Sequence, residues 1–406
     1  MNKINIFTLS IILSPIQFIF IPIGGSQFDF STCIQVLSII FYSITQKIYW
    51  SKFTFFSIYI YFFTACIIFA FNPFPFSRFI SGSFFLLFHA LFLTCHFKSS
   101  NFLPEISDVR KILTNFSIIL GLLAILQKII YPIDRPDATF VEPSAAGLFF
   151  VAYICSEYCS KDEVSIGYSN KERLALLISS IGLALTMSLH IFSGIGSVLI
   201  YKLLKLKIKY KFTIKTVLSY IFISILFAIF IGFNFSHIIT RINFSGELNL
   251  SQLAWLQGAS QAIFALKNSP IFGFGPGSIG TFEINNIFYE KLDLLGFPNL
   301  NKLDGYSGLF RLTVETGLIG ISFLFIRLLN VGKLINSAKL FLTNNNKIEV
   351  NINYSDLIFT TIFGLTIFLG ILLKESVWSR SFYPLCIILL FLLPQKFKNQ
   401  IYNENT

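Results

Sequence analysis

Two clusters in this chain combine arginine, carboxylate and turn-forming residues as anion recognition and proton transfer require. The first is RPDATFVEPSAAG, with Arg135, Asp137, Glu142 and Ser144. Pro143 and Ser144 suit the opening turn of a helix, which sets Glu142 and Ser144 beside its positive end. The second cluster is spread over a long polar stretch. It holds Arg241, the turn GFGPGSIG from Gly273 to Gly280, and DGYSGLFRLTVETGLIG from Asp304 to Gly320. Glycines such as Gly275 and Gly277 permit close backbone approach, and successive N–H groups in such a turn can cradle an anion. Arginine is always charged and binds phosphate oxygens bidentately. Glu142 is the first candidate for a proton acceptor, with Tyr306 and Asp304 behind it. Each feature also has a purely structural reading. Glu142 can serve a helix dipole, Arg135 can anchor at lipid headgroups, Arg311 and Glu315 can form an i,i+4 ion pair, and glycines can simply make a loop.

The elements that must position these residues are apolar. The chain has 406 residues, of which 54% are hydrophobic and 13% charged, and its mean hydropathy is +0.71. Soluble domains carry roughly 25% charged residues. The composition therefore predicts an integral membrane protein. A span needs about 20 mostly apolar residues. On that rule about twelve runs qualify: 4–23, 30–46, 53–71, 79–95, 112–130, 144–159, 174–189, 191–204, 216–235, 309–328, 355–373 and 381–394. The two that meet at His190 can also be one broken helix with a re-entrant turn.

The net charge of +11 does not indicate nucleic acid, because the basic residues follow topology. With both termini cytoplasmic, the inside loops collect most of the Lys and Arg, including the run from Lys202 to Lys215, as the positive-inside rule requires. The outer side then holds a small loop, 131–144, and a large one, 236–308. The chain reads as one membrane domain, 1–406, without an internal repeat. In the large loop Ser251 is placed to cap a helix that Pro270 ends. Trp255, Ala259, Ala262, Ile263 and Leu266 share one face of that helix, away from Gln257 and Gln261. That pattern fits a helix at the membrane interface or one packed on the protein's own loop. The six cysteines lie in or beside apolar runs, so no disulfide framework is expected. Cys155 and Cys159 lack the partners of a metal site, and no metal or cofactor is proposed.

Three pieces resemble the superfamily of O-antigen polymerases (Wzy type) and O-antigen ligases. They are RPDATFVEPSAAG, NSPIFGFGPGSIG after a Trp-bearing helix, and GLFRLTVETGLIG. The resemblance implies an all-α polytopic, GT-C-like fold in the bacterial inner membrane, with one large periplasmic loop. It implies a glycosyltransferase that joins undecaprenyl-diphosphate-linked oligosaccharide repeat units into surface polysaccharide. The alternatives are a ligase to lipid A core and a transporter of the same lipids. The implied partners are polyprenyl-diphosphate-linked oligosaccharides, the bilayer and a chain-length regulator. The implied catalytic group is Glu142, Arg135, Arg241, Arg311 and Tyr306. Gly275, Gly277, Asp304, Ser307 and Glu315 would line the diphosphate site. Ligases of this superfamily carry His eleven residues before the first Gly of the Gly-x-x-Gly ending. Counting back from Gly317 gives Tyr306, followed by Ser307, and the missing His favours polymerase.

Overall fold

The computed structural model describes residues 6–15, 20–23, 26–29, 32–34, 36–37, 48–49, 52–71, 74–94, 96–97, 103–131, 135–140, 142–164, 167–205, 248–282, 284, 287–298, 300, 302–303, 305–345, 348–374 and 382–397. The expected span 216–235 lies outside these residues, as do Arg241 and Asp304. Among them the chain is overwhelmingly helical. The helices are α1 (Ile6–Leu13), α2 (Lys52–Phe71), α3 (Phe76–Thr94), α4 (Ile106–Ile130), α5 (Pro143–Val164), α6 (Asn170–Thr186), α7 (Ile191–Lys205), α8 (Leu250–Asn268), α9 (Ile287–Leu294), α10 (Gly308–Asn345), α11 (Ile348–Leu373) and α12 (Phe382–Ile387), which runs on into a π-turn at Ile388–Leu392.

Two small antiparallel pairs complete the described structure: β1 (Phe20–Ile23) with β2 (Ser26–Asp29), and β3 (Ile48–Tyr49) with β4 (His96–Phe97). The first pair corrects the expected span 4–23, which is not one helix. Ile23 pairs with Ser26, leaving the two-residue Gly-Gly link that hairpins favour. Pro22 also disfavours continued helix.

Among the described residues three helices are long and apolar enough to cross a membrane: Ile106–Ile130, Gly308–Lys333 and Tyr354–Leu373. Shorter apolar helices cover Ile58–Phe71, Phe76–Phe88, Ile191–Leu203 and Leu385–Phe397. In its apolar window Tyr354–Leu373 is 83% buried, against 33% for each of the other two. It is therefore the central pillar, and the others keep an apolar face outward. Ile129 and Phe325 project from such faces.

The pillar α11 packs most extensively on α5. Phe363 meets Phe149 edge-on at 5.2 Å, and Phe359 meets Tyr153 at 5.7 Å. Leu148 lies against Gly370, where an added Cβ would stand 2.5 Å from its methyl carbons. The pairing order makes the two helices antiparallel. Lipid tails are as apolar as Leu, so helices associate in a membrane by close packing rather than by escape from water. Gly370 supplies that closeness here, and Gly121 of α4 does the same against Ile178 of α6.

Helix α10 is broken at Gly317, whose φ of 59° and ψ of −152° belong to glycine. The break frees backbone groups, and the chain at 270–274 takes them up. Leu318 N–H donates to Pro270 O at 2.9 Å and Ile319 N–H to Ile271 O at 3.2 Å, while Phe274 N–H donates to Val314 O at 2.8 Å. A Cβ on Gly317 would stand 2.6 Å from Ile271 O. Non-helical backbone at membrane depth needs such internal partners.

Candidate functional site

At one end of the bundle the start of α5 meets the end of α11. Ser144 Oγ donates to Glu142 Oε2 at 2.8 Å. Lys374 Nζ, one residue past α11, donates to Glu142 Oε2 at 3.1 Å and to Ser144 Oγ at 2.7 Å. Both charges suit the helix ends they occupy, carboxylate at the N-terminus of α5 and ammonium at the C-terminus of α11. The Glu142 side chain is 58% exposed and that of Lys374 30%. A pair so wetted contributes at most about 1 kcal/mol to stability.

The turn between α6 and α7 closes one side. Met187 ends α6 in the left-handed conformation, and α7 begins four residues later at Ile191. Ser188 Oγ donates to Ser144 O at 3.3 Å, and Ser193 Oγ donates to His190 O at 2.7 Å and lies 3.3 Å from His190 Nδ1. Burial, with Lys374 nearby, pushes the His190 pKa down to about 3. The imidazole is therefore neutral at physiological pH.

The opposite wall comes from the large loop. Asn249 caps α8 in a reciprocal capping box with Gln252. Ser251, expected to cap, lies inside the first turn. Gly258 lets the chain at Gly305 approach closely, since a Cβ there would stand 2.2 Å from Gly305 O. Trp255 packs edge-on against Phe310 at 4.9 Å. Tyr306 follows with φ of 62°, a conformation unusual for a non-glycine residue. Ser307 Oγ donates to Leu372 O, which ties this turn to the last turn of α11. Between these walls lies an open cleft of about 240 Å³, lined in part by Ser144, His190, Asn249, Trp255, Tyr306 and Lys374.

The cleft gathers some of the expected residues and not others. Ser144 and Tyr306 come together there, with Glu142 bonded to Ser144 and Lys374 beside it and Ser307 buried in the Tyr306 turn. Arg135 is elsewhere engaged: its Nε donates to Thr186 O at 2.8 Å, at the C-terminal end of α6. Arg311 Nε lies 2.9 Å from Glu315 Oε1, and Glu315 is fully buried. The i,i+4 pair is thus present in α10. Gly277 lies against α3. A Cβ on Gly277 would stand 2.1 Å from Arg78 O, one on Gly82 would stand 2.4 Å from Gly277 N, and Arg78 Nε donates to Gly277 O at 3.2 Å. The nearest atom to a Cβ on Gly275 is Ala65 O at 3.8 Å. Close packing thus accounts for Gly273, Gly277 and Gly280 of the turn, whereas Gly275 is in no close contact of this kind.

Sequence reasoning passed over Lys374 and treated His190 as a scattered histidine. The available signal for Lys374 was its place as the first charge after a long apolar run. On α8, Gln257 and Gln261 are buried, while Ile263 and Leu266 face outward. Gln261 accepts from Gly280 N–H at 2.7 Å and donates to Lys302 O at 3.2 Å.

The opposite end of the same helices holds a second ionic group, which the sequence reading assigned to topology alone. Arg110 of α4 reaches Glu157 of α5 at 2.7 Å, Asp356 of α11 at 2.8 Å and Glu172 of α6 at 3.0 Å. Lys161 reaches Glu172 at 3.0 Å. The guanidinium also lies over the Phe359 ring at 5.0 Å. Among the described residues no grouping of His, Cys, Asp and Glu is arranged to hold a metal ion. In comparisons with known proteins, the sequence matches no family model and no curated protein.

Proposed function

We propose that this chain is a membrane glycosyltransferase that polymerises polyprenyl-diphosphate-linked oligosaccharide repeat units. One observation carries the reading. Ser144 of the Glu-Pro-Ser segment and Tyr306, far apart in sequence, line one cleft at the end of an apolar bundle, and Glu142 bonds to the lining residues Ser144 and Lys374. A site made of these two pieces is what the resemblance to O-antigen polymerases implies. The setting suits a substrate with a polar head and an isoprenoid tail, because the cleft opens at the helix ends beside outward-facing apolar side chains.

In the proposed reaction an acceptor hydroxyl oxygen attacks the anomeric carbon of the donor sugar. A new C–O bond forms there as the C–O bond to the diphosphate breaks. The hydroxyl proton passes to the Glu142 carboxylate, and the lipid diphosphate leaves with the bonding electron pair. Glu142 is suited to the role by its solvent exposure and by its bonds to Ser144 Oγ and Lys374 Nζ, both on residues that line the cleft. Tyr306 and Trp255 would border the sugar. The reading carries with it a polytopic, GT-C-like fold, cytoplasmic termini, the bacterial inner membrane and a chain-length regulator as partner.

The test is reconstitution. Purified protein in liposomes, given synthetic lipid-linked repeats, should yield a ladder of chain lengths on gels. Glu142→Gln should slow chain growth at least about a hundredfold, in the range typical of a lost general base. A wild-type protein that makes no product longer than one repeat sinks the polymerase reading. In cells, deletion should leave single repeats on the lipid A core. A core with no repeats at all would point to ligation instead.

A further inference from the structure

We infer that Lys374 holds a phosphate of the polyprenyl diphosphate, and that Glu142 is the internal carboxylate it exchanges for that phosphate. The inference takes the identity of the lipid from the polymerase reading. The reaction develops negative charge on the departing diphosphate, and a cation must face it. Of the arginines suggested by sequence, Arg135 is directed at the Thr186 carbonyl and Arg311 at buried Glu315. Lys374 differs in place and in partner. Its ammonium lines the cleft itself, next to Tyr306 and Trp255. Its acidic partner, Glu142, is more than half exposed, so that carboxylate can turn into water at small desolvation cost.

The present arrangement therefore contains an anion already: Glu142 Oε2, 3.1 Å from Nζ and 2.8 Å from Ser144 Oγ. A phosphate oxygen in that position would accept from the same ammonium and the same hydroxyl. It would also face the N-terminus of α5, whose dipole favours negative charge. A diphosphate carries more than one negative charge and so outcompetes a single carboxylate for one ammonium. Exchange has a mechanistic result. Glu142 gives up its bond to Lys374 when the donor lipid is seated, so the proton acceptor changes its surroundings as the substrate arrives.

Binding tests this without any sugar chemistry. The protein in phosphatidylcholine nanodiscs is titrated with undecaprenyl diphosphate in one arm and with phosphatidylglycerol in the other. The diphosphate lipid should bind about tenfold more tightly or better. Lys374→Met should weaken its binding about tenfold or more, as expected for loss of a charge-assisted hydrogen bond. Glu142→Gln should tighten it about threefold, because the competing charge is gone. Unchanged or weaker binding by Glu142→Gln overturns the inference, as does wild-type affinity in Lys374→Met. Equal binding of phosphatidylglycerol would assign the site to ordinary lipid headgroups and overturn it too. If Lys374→Met fails to reach the membrane, the direction of the Glu142→Gln effect decides alone. The expected binding pattern in a protein that forms no polymer would leave the phosphate site standing and remove the polymerase reading.

Discussion

The two ends of the α4–α5–α6–α11 bundle hold ionic groups of similar chemistry in opposite circumstances. At one end Arg110 serves three carboxylates from three other helices, with Glu157 entirely buried. At the other end Lys374 lines the cleft and serves one carboxylate, and both side chains are partly exposed. The first group joins four helices and leaves its guanidinium no room for a ligand. The second joins two helix ends and borders open space. Burial and the number of partners, more than the presence of charge, separate an ion pair that fastens the fold from one that can exchange its partner.

Mutation should expose this difference most strongly at Arg110. Arg110→Met leaves Glu157 and Asp356 without their shared cation. Breaking a buried pair from one side costs about 3–5 kcal/mol. The expected outcome is a large fall in melting temperature in detergent, or loss of folded protein, and near-wild-type melting would erase the contrast between the two ends. A smaller effect is expected from His190 at the cleft end, and it depends on pH. Its native pKa is near 3, below the ordinary His value of about 6.5. The unfolded chain therefore takes up a proton that the native state refuses, and stability falls as pH drops below that ordinary value. At pH 5.5 this amounts to about 1.4 kcal/mol. His190→Gln should thus flatten the decline in melting temperature between pH 7 and 5.5, and an unchanged slope would show that His190 is not held neutral. The smallest effect is expected at Lys374. Lys374→Met should change melting by no more than about 1 kcal/mol, although it weakens lipid binding. A destabilisation as large as that of Arg110→Met would make both ends structural.

Local chemistry in the sequence was enough to find the start of α5. Proline then serine after a glutamate marks a helix entrance, and Pro143 does open α5. Separation along the chain hid other features. Lys374 matters because α11 lies antiparallel on α5, bringing together residues 232 positions apart. No local pattern encodes that contact. Arg135 read as an exposed cation because its acceptor, the Thr186 carbonyl, belongs to a helix end whose position depends on packing. On α8 the helical wheel separated glutamines from apolar residues, but the side of burial could not be read from it. Both glutamines face the protein, and Gln261 ties down Gly280 and Lys302, while Ile263 and Leu266 point away. The N-terminal run failed as a span for a local reason. Hydropathy counted its apolar residues and took no account of Pro22, which sits in β1 of an antiparallel pair.

The break in α10 bears on how the chain is inserted during synthesis. The segment 308–316 enters the bundle as a helix whose end is held by the backbone at 270–274 and, at the Glu315 carbonyl, by Tyr61 Oη. The stretch 270–274 emerges from the ribosome earlier and must already be in place when α10 docks. Packing of this helix is thus conditional on correct placement of the preceding segment. Defects introduced into GFGPGSIG should then surface as a biogenesis failure, an unintegrated and rapidly degraded chain, before any question of turnover arises.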